Sequence, residues 1–114
     1  MLFRSEPDNW KALFFHTGKG VDLSLYKSLS FWVHGGTTGD QVVRVVLKDD
    51  TKALGEMRLN AALGHSILKG TWQQVVIPLS ALGASTGSFR EMLIQDQSGK
   101  DQGTLYLDDI QLVP

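Results

Sequence analysis

The chain has 114 residues, which predicts one domain over 1–114 and enough buried surface for a core without staples. It has no cysteine, so disulfides and cysteine-ligated metals are excluded and the redox compartment stays open. Lys and Arg number 11 against 12 Asp and Glu, a net charge of −1. That balance argues against a general electrostatic grip on nucleic acid or anionic membrane, and no apolar run approaches the ~20 residues of a membrane span.

Leu2, Phe3 and Arg4 pass directly into polar Ser5 and Glu6, so an apolar signal-peptide core is missing from this segment. Short β-runs then alternate with clusters of Gly, Asp, Ser and Thr. The first run is 10–16 (WKALFFH), closed by Thr17-Gly18-Lys19-Gly20. The second is 28–34 (SLSFWVH), closed by the GGTTG of 35–39, which reads as a hairpin loop. The third is 41–48 (QVVRVVLK), closed by an Asp49-Asp50 turn. A weaker fourth lies at 56–59, the fifth at 71–78 (TWQQVVIP) and the sixth at 89–97 (FREMLIQDQ). The last is 104–113 (TLYLDDIQLV). Residues 54–68 hold good helix formers, but Gly55 and Gly64 interrupt them at ~1 kcal/mol each, so a strand, a long loop and one helical turn are expected.

Alternation assigns faces. Leu29, Phe31 and Val33 oppose Ser30, Trp32 and His34. Val43, Val45 and Leu47 oppose Val42, Arg44 and Val46. Leu13 and Phe15 oppose Trp10, Ala12, Phe14 and His16. Val75 and Ile77 oppose Gln74 and Val76, with Leu79 continuing their parity just beyond the run, and Met92 and Ile94 oppose Leu93, Gln95 and Gln97. The first-named sets, with Leu105, Leu107, Ile110 and Leu112, form the expected core. In the last run the apolar parity changes from odd to even across Asp108-Asp109, which predicts a β-bulge there.

The pattern offers little for catalysis. His16, His34 and His65 lie far apart without zinc-site spacing, and there is no nucleophile elbow. The GGTTG loop lacks the Lys-Ser/Thr pair and the following helix of a phosphate loop. Asp108 and Asp109 interrupt an apolar strand. One carboxylate would cap loop amides, or Asp108 would be an oxygen ligand for calcium. An enzyme would need two opposed carboxylates in one cleft, or a base beside a cation, with Asp96 or Glu91 near His16 the first pair to inspect. The remaining constellation is aromatic and amide side chains away from the core. Rings stack on the flat C–H faces of sugars, and amides or guanidinium bridge the hydroxyls. The competing reading packs these same residues under loops or a neighbouring domain.

Three stretches together resemble a known family. They are Val21-Asp22-Leu23-Ser24 with Tyr26 and 29–33 (LSFWV), Trp72 with Val75, Ile77-Pro78-Leu79-Ser80 and Leu82, and 105–110 (LYLDDI). In this order they resemble the jelly-roll, galactose-binding-like carbohydrate-binding modules of bacterial extracellular glycoside hydrolases and surface proteins. The resemblance covers about residues 10 to 113 and is specific for the fold rather than for the ligand. It implies an all-β, two-sheet antiparallel jelly-roll β-sandwich. It implies a non-catalytic glycan-binding role outside the cell or at its surface, with no required cofactor and a structural calcium as an option. The family's strand order makes the runs at 10–16, 41–48 and 89–97 neighbours, which gives Trp10, Phe14, His16, Arg44, Gln95 and Gln97 as the ligand-binding set.

Such modules usually begin with further strands, so the chain reads as shortened at its front. Two expectations follow. The calcium site at Asp108 loses partners, and the charge-free 105–107 segment becomes an open edge that invites a homodimer or a strand-donating partner. A structural domain that pairs through that edge is therefore the principal alternative, and a small jelly-roll hydrolase or lyase is the second.

Overall fold

The computed structural model describes residues 2–5, 12–97 and 102–114, with side chains described over 14–97 and 102–114. The strands are β1 (Leu2–Ser5), β2 (Ala12–Asp22), β3 (Ser28–His34), β4 (Val43–Lys48), β5 (Ala53–Arg58), β6 (Trp72–Pro78), β7 (Ser88–Asp96) and β8 (Leu105–Val113). Two short helices, α1 (Leu59–Leu63) and α2 (Leu79–Leu82), follow β5 and β6. The strands form two four-stranded sheets in the orders β1-β8-β3-β6 and β2-β7-β4-β5. Every pairing is antiparallel, and the two sheets make the jelly-roll sandwich.

The core follows from alternation. Phe31 and Val33 of one sheet and Val45, Leu47 and Ile94 of the other are all fully buried. Phe15, Ile110 and Leu112 pack against this core while partly exposed. The expected core residue Leu13 lies outside the described side chains. Leu23, Leu59, Ile67, Leu79 and Leu82 also join the core. Leu79 continues the parity of Val75 and Ile77, whereas the others come from a 3-10 turn, the two short helices and a loop, where no period-two pattern exists to reveal them.

Turn chemistry decides several boundaries. Asp49 does make the β4–β5 turn. Its carboxylate accepts the backbone N–H groups of Thr51 and Lys52, both at 2.8 Å. These bonds hold its carboxyl below the usual aspartate range. Residues 54–68 divide much as expected, with β5 running into the single turn of α1 and Gly64 ending it at a left-handed φ of 79°. The Thr17–Gly20 cluster does not close its strand. Pairing of β2 with β7 shifts register between His16 and Val21 and then resumes at Val21↔Phe89, so the cluster is an irregularity inside one long strand. The GGTTG segment is not a hairpin loop either, because it carries the chain from β3 in one sheet to β4 in the other.

The bulge in β8 is present. Ser30 pairs with Gln111 and Trp32 with Asp108, so two β8 residues oppose the single Phe31. Asp109 takes a left-handed φ of 51°, and its N–H donates to the Asp108 carboxylate at 2.8 Å. An L-residue in this conformation costs about 1–2 kcal/mol, least for Asp and Asn and nothing for Gly. We therefore expect Asp109→Val to lose about 1–2 kcal/mol and Asp109→Gly to stay close to the parent. Urea midpoints check this, and equal stability of the valine variant would mean that the left-handed bulge is not populated.

The open edge expected on the last strand is not there. β1 covers it, with Leu2↔Asp108, Phe3↔Leu107, Arg4↔Tyr106 and Ser5↔Leu105 in register. The backbone groups that were to recruit a second chain at 105–108 already have a strand beside them, which removes the basis for strand-swapped association there.

Candidate functional site

The outer face of the β2-β7-β4-β5 sheet is built in rows. Register places Ala12, Gln95, Arg44 and Arg58 side by side, then Phe14, Leu93, Val46 and Glu56, then His16, Glu91 and Lys48. The first row is polar, the second apolar through its middle, and the third ionic. The strand neighbours expected for 10–16, 41–48 and 89–97 are thus adjacent.

Within the first rows Arg44 is the hub. Its Nε and Nη2 donate to Gln95 Oε1 at 2.9 and 2.6 Å, and its Nη1 donates to Glu56 Oε2 at 2.5 Å. Gln95 Oε1 is thereby turned toward the guanidinium, leaving the amide nitrogen of that side chain as a donor. Arg58 Nε donates to Gln97 Oε1 at 3.3 Å, which extends the polar band by one strand position. A planar guanidinium held this way presents donors in a fixed fork rather than on a loose stem.

Next to this band lies a flat apolar surface. Phe14 is 51% exposed, and its ring lies nearly parallel to that of His16, with centroids 6.3 Å apart and 10° between planes. Both residues point outward because i and i+2 share a face in a strand. Leu93 and Val46 are buried despite their outward parity, forming the floor between longer side chains. His16 Nδ1 lies 3.6 Å from Glu91 Oε2. Flat C–H surface beside fixed donors and acceptors is the chemistry that a sugar ring with equatorial hydroxyls requires.

Of the sequence-derived set, Phe14, His16, Arg44, Gln95 and Gln97 therefore share one face of one sheet, and Trp10 lies outside the described residues. Glu56 and Arg58 belong to the same face and were missed, and Glu91, named beside His16 for an enzyme reading alone, joins them. The Asp49 turn could have exposed the first two, since a hairpin places the next strand beside β4 and parity then sets its outward residues.

The other chemical readings fare differently. Asp96 is fully buried on the core side of β7, where it accepts from Gln102 Nε2 at 2.7 Å, so it cannot pair with the outward His16. Glu91 does neighbour His16, as one contact on an open sheet face. Asp108 uses one carboxylate oxygen on its own bulge. Among the described residues no group of three or more His, Cys, Asp or Glu is placed to hold a metal ion.

Comparison with known proteins gives a family and a fold. The family model for Carbohydrate binding domain 30 matches residues 3–114. An endoglucanase of Dictyostelium discoideum is 23% identical over 105 residues, and the chain spans 91% of itself but only 15% of that relative's length. The family 11 carbohydrate-binding module of Clostridium thermocellum, solved with a β-1,3-1,4-mixed-linked tetrasaccharide, superposes with a TM-score of 0.57 at 12% identity, covering 98% of this chain and 88% of that one. An exo-β-agarase superposes with a TM-score of 0.70 at 14% identity over 95% of this chain and 18% of its own. These structures share the fold, and the family match over nearly every residue gives the lineage: the chain belongs to the Carbohydrate binding domain 30 family and is a carbohydrate-binding module.

Proposed function

We propose that the module binds β-linked glucan, without acting on it, across the β2-β7-β4-β5 face, as part of a secreted or surface protein that degrades or captures polysaccharide. The observation that carries this reading is the pairing of a flat Phe14–His16 surface with a guanidinium clamped by Gln95 and Glu56 on adjacent strands. The rings would stack on pyranose faces while Arg44, Gln95 and Gln97 bond the hydroxyls. The tetrasaccharide held by the Clostridium module, and the endoglucanase name of the Dictyostelium relative, make β-glucan the first ligand class to test.

The carboxylates support a binding role rather than catalysis. Glu56 is tied to Arg44, Asp96 is buried with Gln102, and Asp49 closes a turn. We also read binding as independent of metal, so chelator should leave affinity and melting temperature unchanged, whereas a bound structural ion would raise stability as RT ln(1+[L]/Kd).

Titration calorimetry with mixed-linkage β-glucan oligosaccharides tests the face. Phe14→Ala and Gln95→Ala should each weaken binding about tenfold, equivalent to about 1.4 kcal/mol, with an unchanged melting temperature. Parent-like affinity in both variants would place the ligand elsewhere. Release of reducing sugar by the isolated chain would overturn the non-catalytic assignment.

A further inference from the structure

The opposite sheet carries a second aromatic constellation that the ligand face above does not use. β3 is an inner strand of the β1-β8-β3-β6 sheet, and alternation sends Trp32 and His34 to its outer side. Register then places His34 between Trp72 of β6 and Tyr106 of β8. The three rings meet edge to face. His34 lies 5.3 Å from Trp72 at 65° and 5.7 Å from Tyr106 at 89°. One position along, Trp32 sits between Gln74 and Asp108. Trp72 is 41% exposed and Trp32 36%, so two indoles face solvent on a sheet that already has its core on the other side.

His34, Trp72 and Tyr106 wall a cavity of about 940 Å³, together with Gly36, Thr37 and Lys69. A smaller hollow of about 370 Å³ shares Trp72 and is walled by Trp32, Asp108 and Asp109. Trp72 thus divides two adjoining depressions, which suits a ligand longer than one ring.

The rim is fixed rather than loose. Gln41 is only 3% exposed, and its amide nitrogen lies 2.8, 3.1 and 3.2 Å from the carbonyl oxygens of Gly35, Thr104 and Gly103. Two amide hydrogens shared among three acceptors tie the 35–39 segment to the approach to β8. Gly70 N–H donates to Gly36 O at 2.8 Å and Asp40 N–H to Ile67 O at 2.7 Å, which ties in the loop before β6. His34 Nδ1 accepts the Gly36 N–H at 2.9 Å, so the neutral ring carries its hydrogen on Nε2 as a donor. Fixed walls lower the ordering cost of binding, and aromatic surface beside hydroxyl, ammonium and imidazole groups is the composition of a small polar-ligand site.

We propose that this cavity is a second saccharide site, taking a short pyranose oligosaccharide against Trp72 and making the module bivalent. The inference rests on the chain being a glycan-binding module; the site at Trp72 stands independently of the Phe14–Arg44 face, whereas bivalency requires both. Two sites on opposite sheets would let one module hold two chains of a polysaccharide, with avidity far above either single affinity.

The experiment is calorimetry plus NMR with a mixed-linkage β-glucan tetrasaccharide on the parent, Trp72→Ala and Phe14→Ala. Two oligosaccharides per parent chain are expected, with Trp72→Ala removing one of them and Phe14→Ala weakening the other about tenfold. The parent's Trp72 and Trp32 indole N–H resonances should shift on saturation, a readout that does not depend on any variant folding. A stoichiometry of one with both indole signals unmoved overturns the proposal. If Trp72→Ala removes a single site while Phe14→Ala changes nothing, the cavity stands and the Phe14–Arg44 reading falls. Absence of binding to this oligosaccharide and to xyloglucan and agarose oligosaccharides would overturn both.

Discussion

Arg44→Ala is expected to weaken glycan binding by about one to two orders of magnitude, the equivalent of losing about 1.5–3 kcal/mol of charge-assisted hydrogen bonding. The side chain is 31% exposed and directs three of its N–H donors to Gln95 and Glu56. Among the described contacts this leaves two of the five guanidinium donors for ligand oxygens, in an orientation fixed before binding. Removal also frees Gln95 to rotate and leaves Glu56 unpaired, so the polar row loses its arrangement. The fold should survive, because a part-exposed ion pair contributes only about 0–1 kcal/mol. Arg44→Lys separates charge from geometry, since an ammonium cannot reproduce the planar fork. We expect the lysine variant to bind nearly as poorly as the alanine variant. Parent-like binding by Arg44→Lys would mean that a point charge suffices, and parent-like binding by Arg44→Ala would remove this face from recognition.

Arg44 also illustrates what the sequence alone makes legible. In 41–48 and 89–97 the two polar residues Arg44 and Gln95 stand opposite the apolar sets Val43, Val45, Leu47 and Met92, Ile94, so both can be assigned to the outside of their strands although Val42, Val46 and Leu93 share that side. The neighbour relation between those strands comes from the family resemblance and not from the pattern. Once both are in hand, the Arg44–Gln95 contact is nearly determined, because register places the two residues opposite each other. Glu56 was harder. Its strand is Ala53–Arg58, displaced from the 56–59 run by Gly55, whose lack of a side chain breaks the alternation. The Thr17–Gly20 cluster has turn composition yet lies in a strand, because the β7 ladder resumes beyond it and tertiary pairing outweighs local preference. The bulge at Asp108-Asp109 was readable because a parity change has one simple physical cause.

The second aromatic group was visible in part. Trp32 and His34 fall on one face by alternation, but Trp72 and Tyr106 are separated from them by about 40 and 70 residues in the chain. Only the sheet order β8-β3-β6 brings them into one row. Non-local pairing of this kind is what a period-two reading of single strands omits.

Gly35→Ala is expected to destabilise the chain by about 2–5 kcal/mol, combining overpacking with lost buried hydrogen bonds. A Cβ at this position would lie 2.3 Å from the backbone oxygen of Leu68 and 3.0 Å from Gly39 Cα. Both obstacles are backbone, so no side chain can rotate away. Nor can the two segments simply part, because the Gly35 N–H donates to that same Leu68 oxygen at 3.2 Å. The Gly35 carbonyl meanwhile accepts from Gly39 N–H at 2.9 Å and from the buried Gln41 amide at 2.8 Å. Moving the 67–70 loop outward would break the first bond and strain the others, opening the rim of the His34–Trp72–Tyr106 cavity. Gly18→Ala is the matched control. Among the described residues nothing lies within 4 Å of its added Cβ, and removing glycine reduces unfolded-state freedom, so it should be neutral or stabilising by up to about 1 kcal/mol. Thermal and urea unfolding of the two variants should therefore diverge widely, although both make the same chemical change. A Gly35→Ala variant that melts with the parent would show that the 67–70 loop does not pack against Gly35. Saccharide stoichiometry in the surviving folded fraction adds a second check: the cavity should lose its ligand while the Arg44 face, on the other sheet, keeps its own.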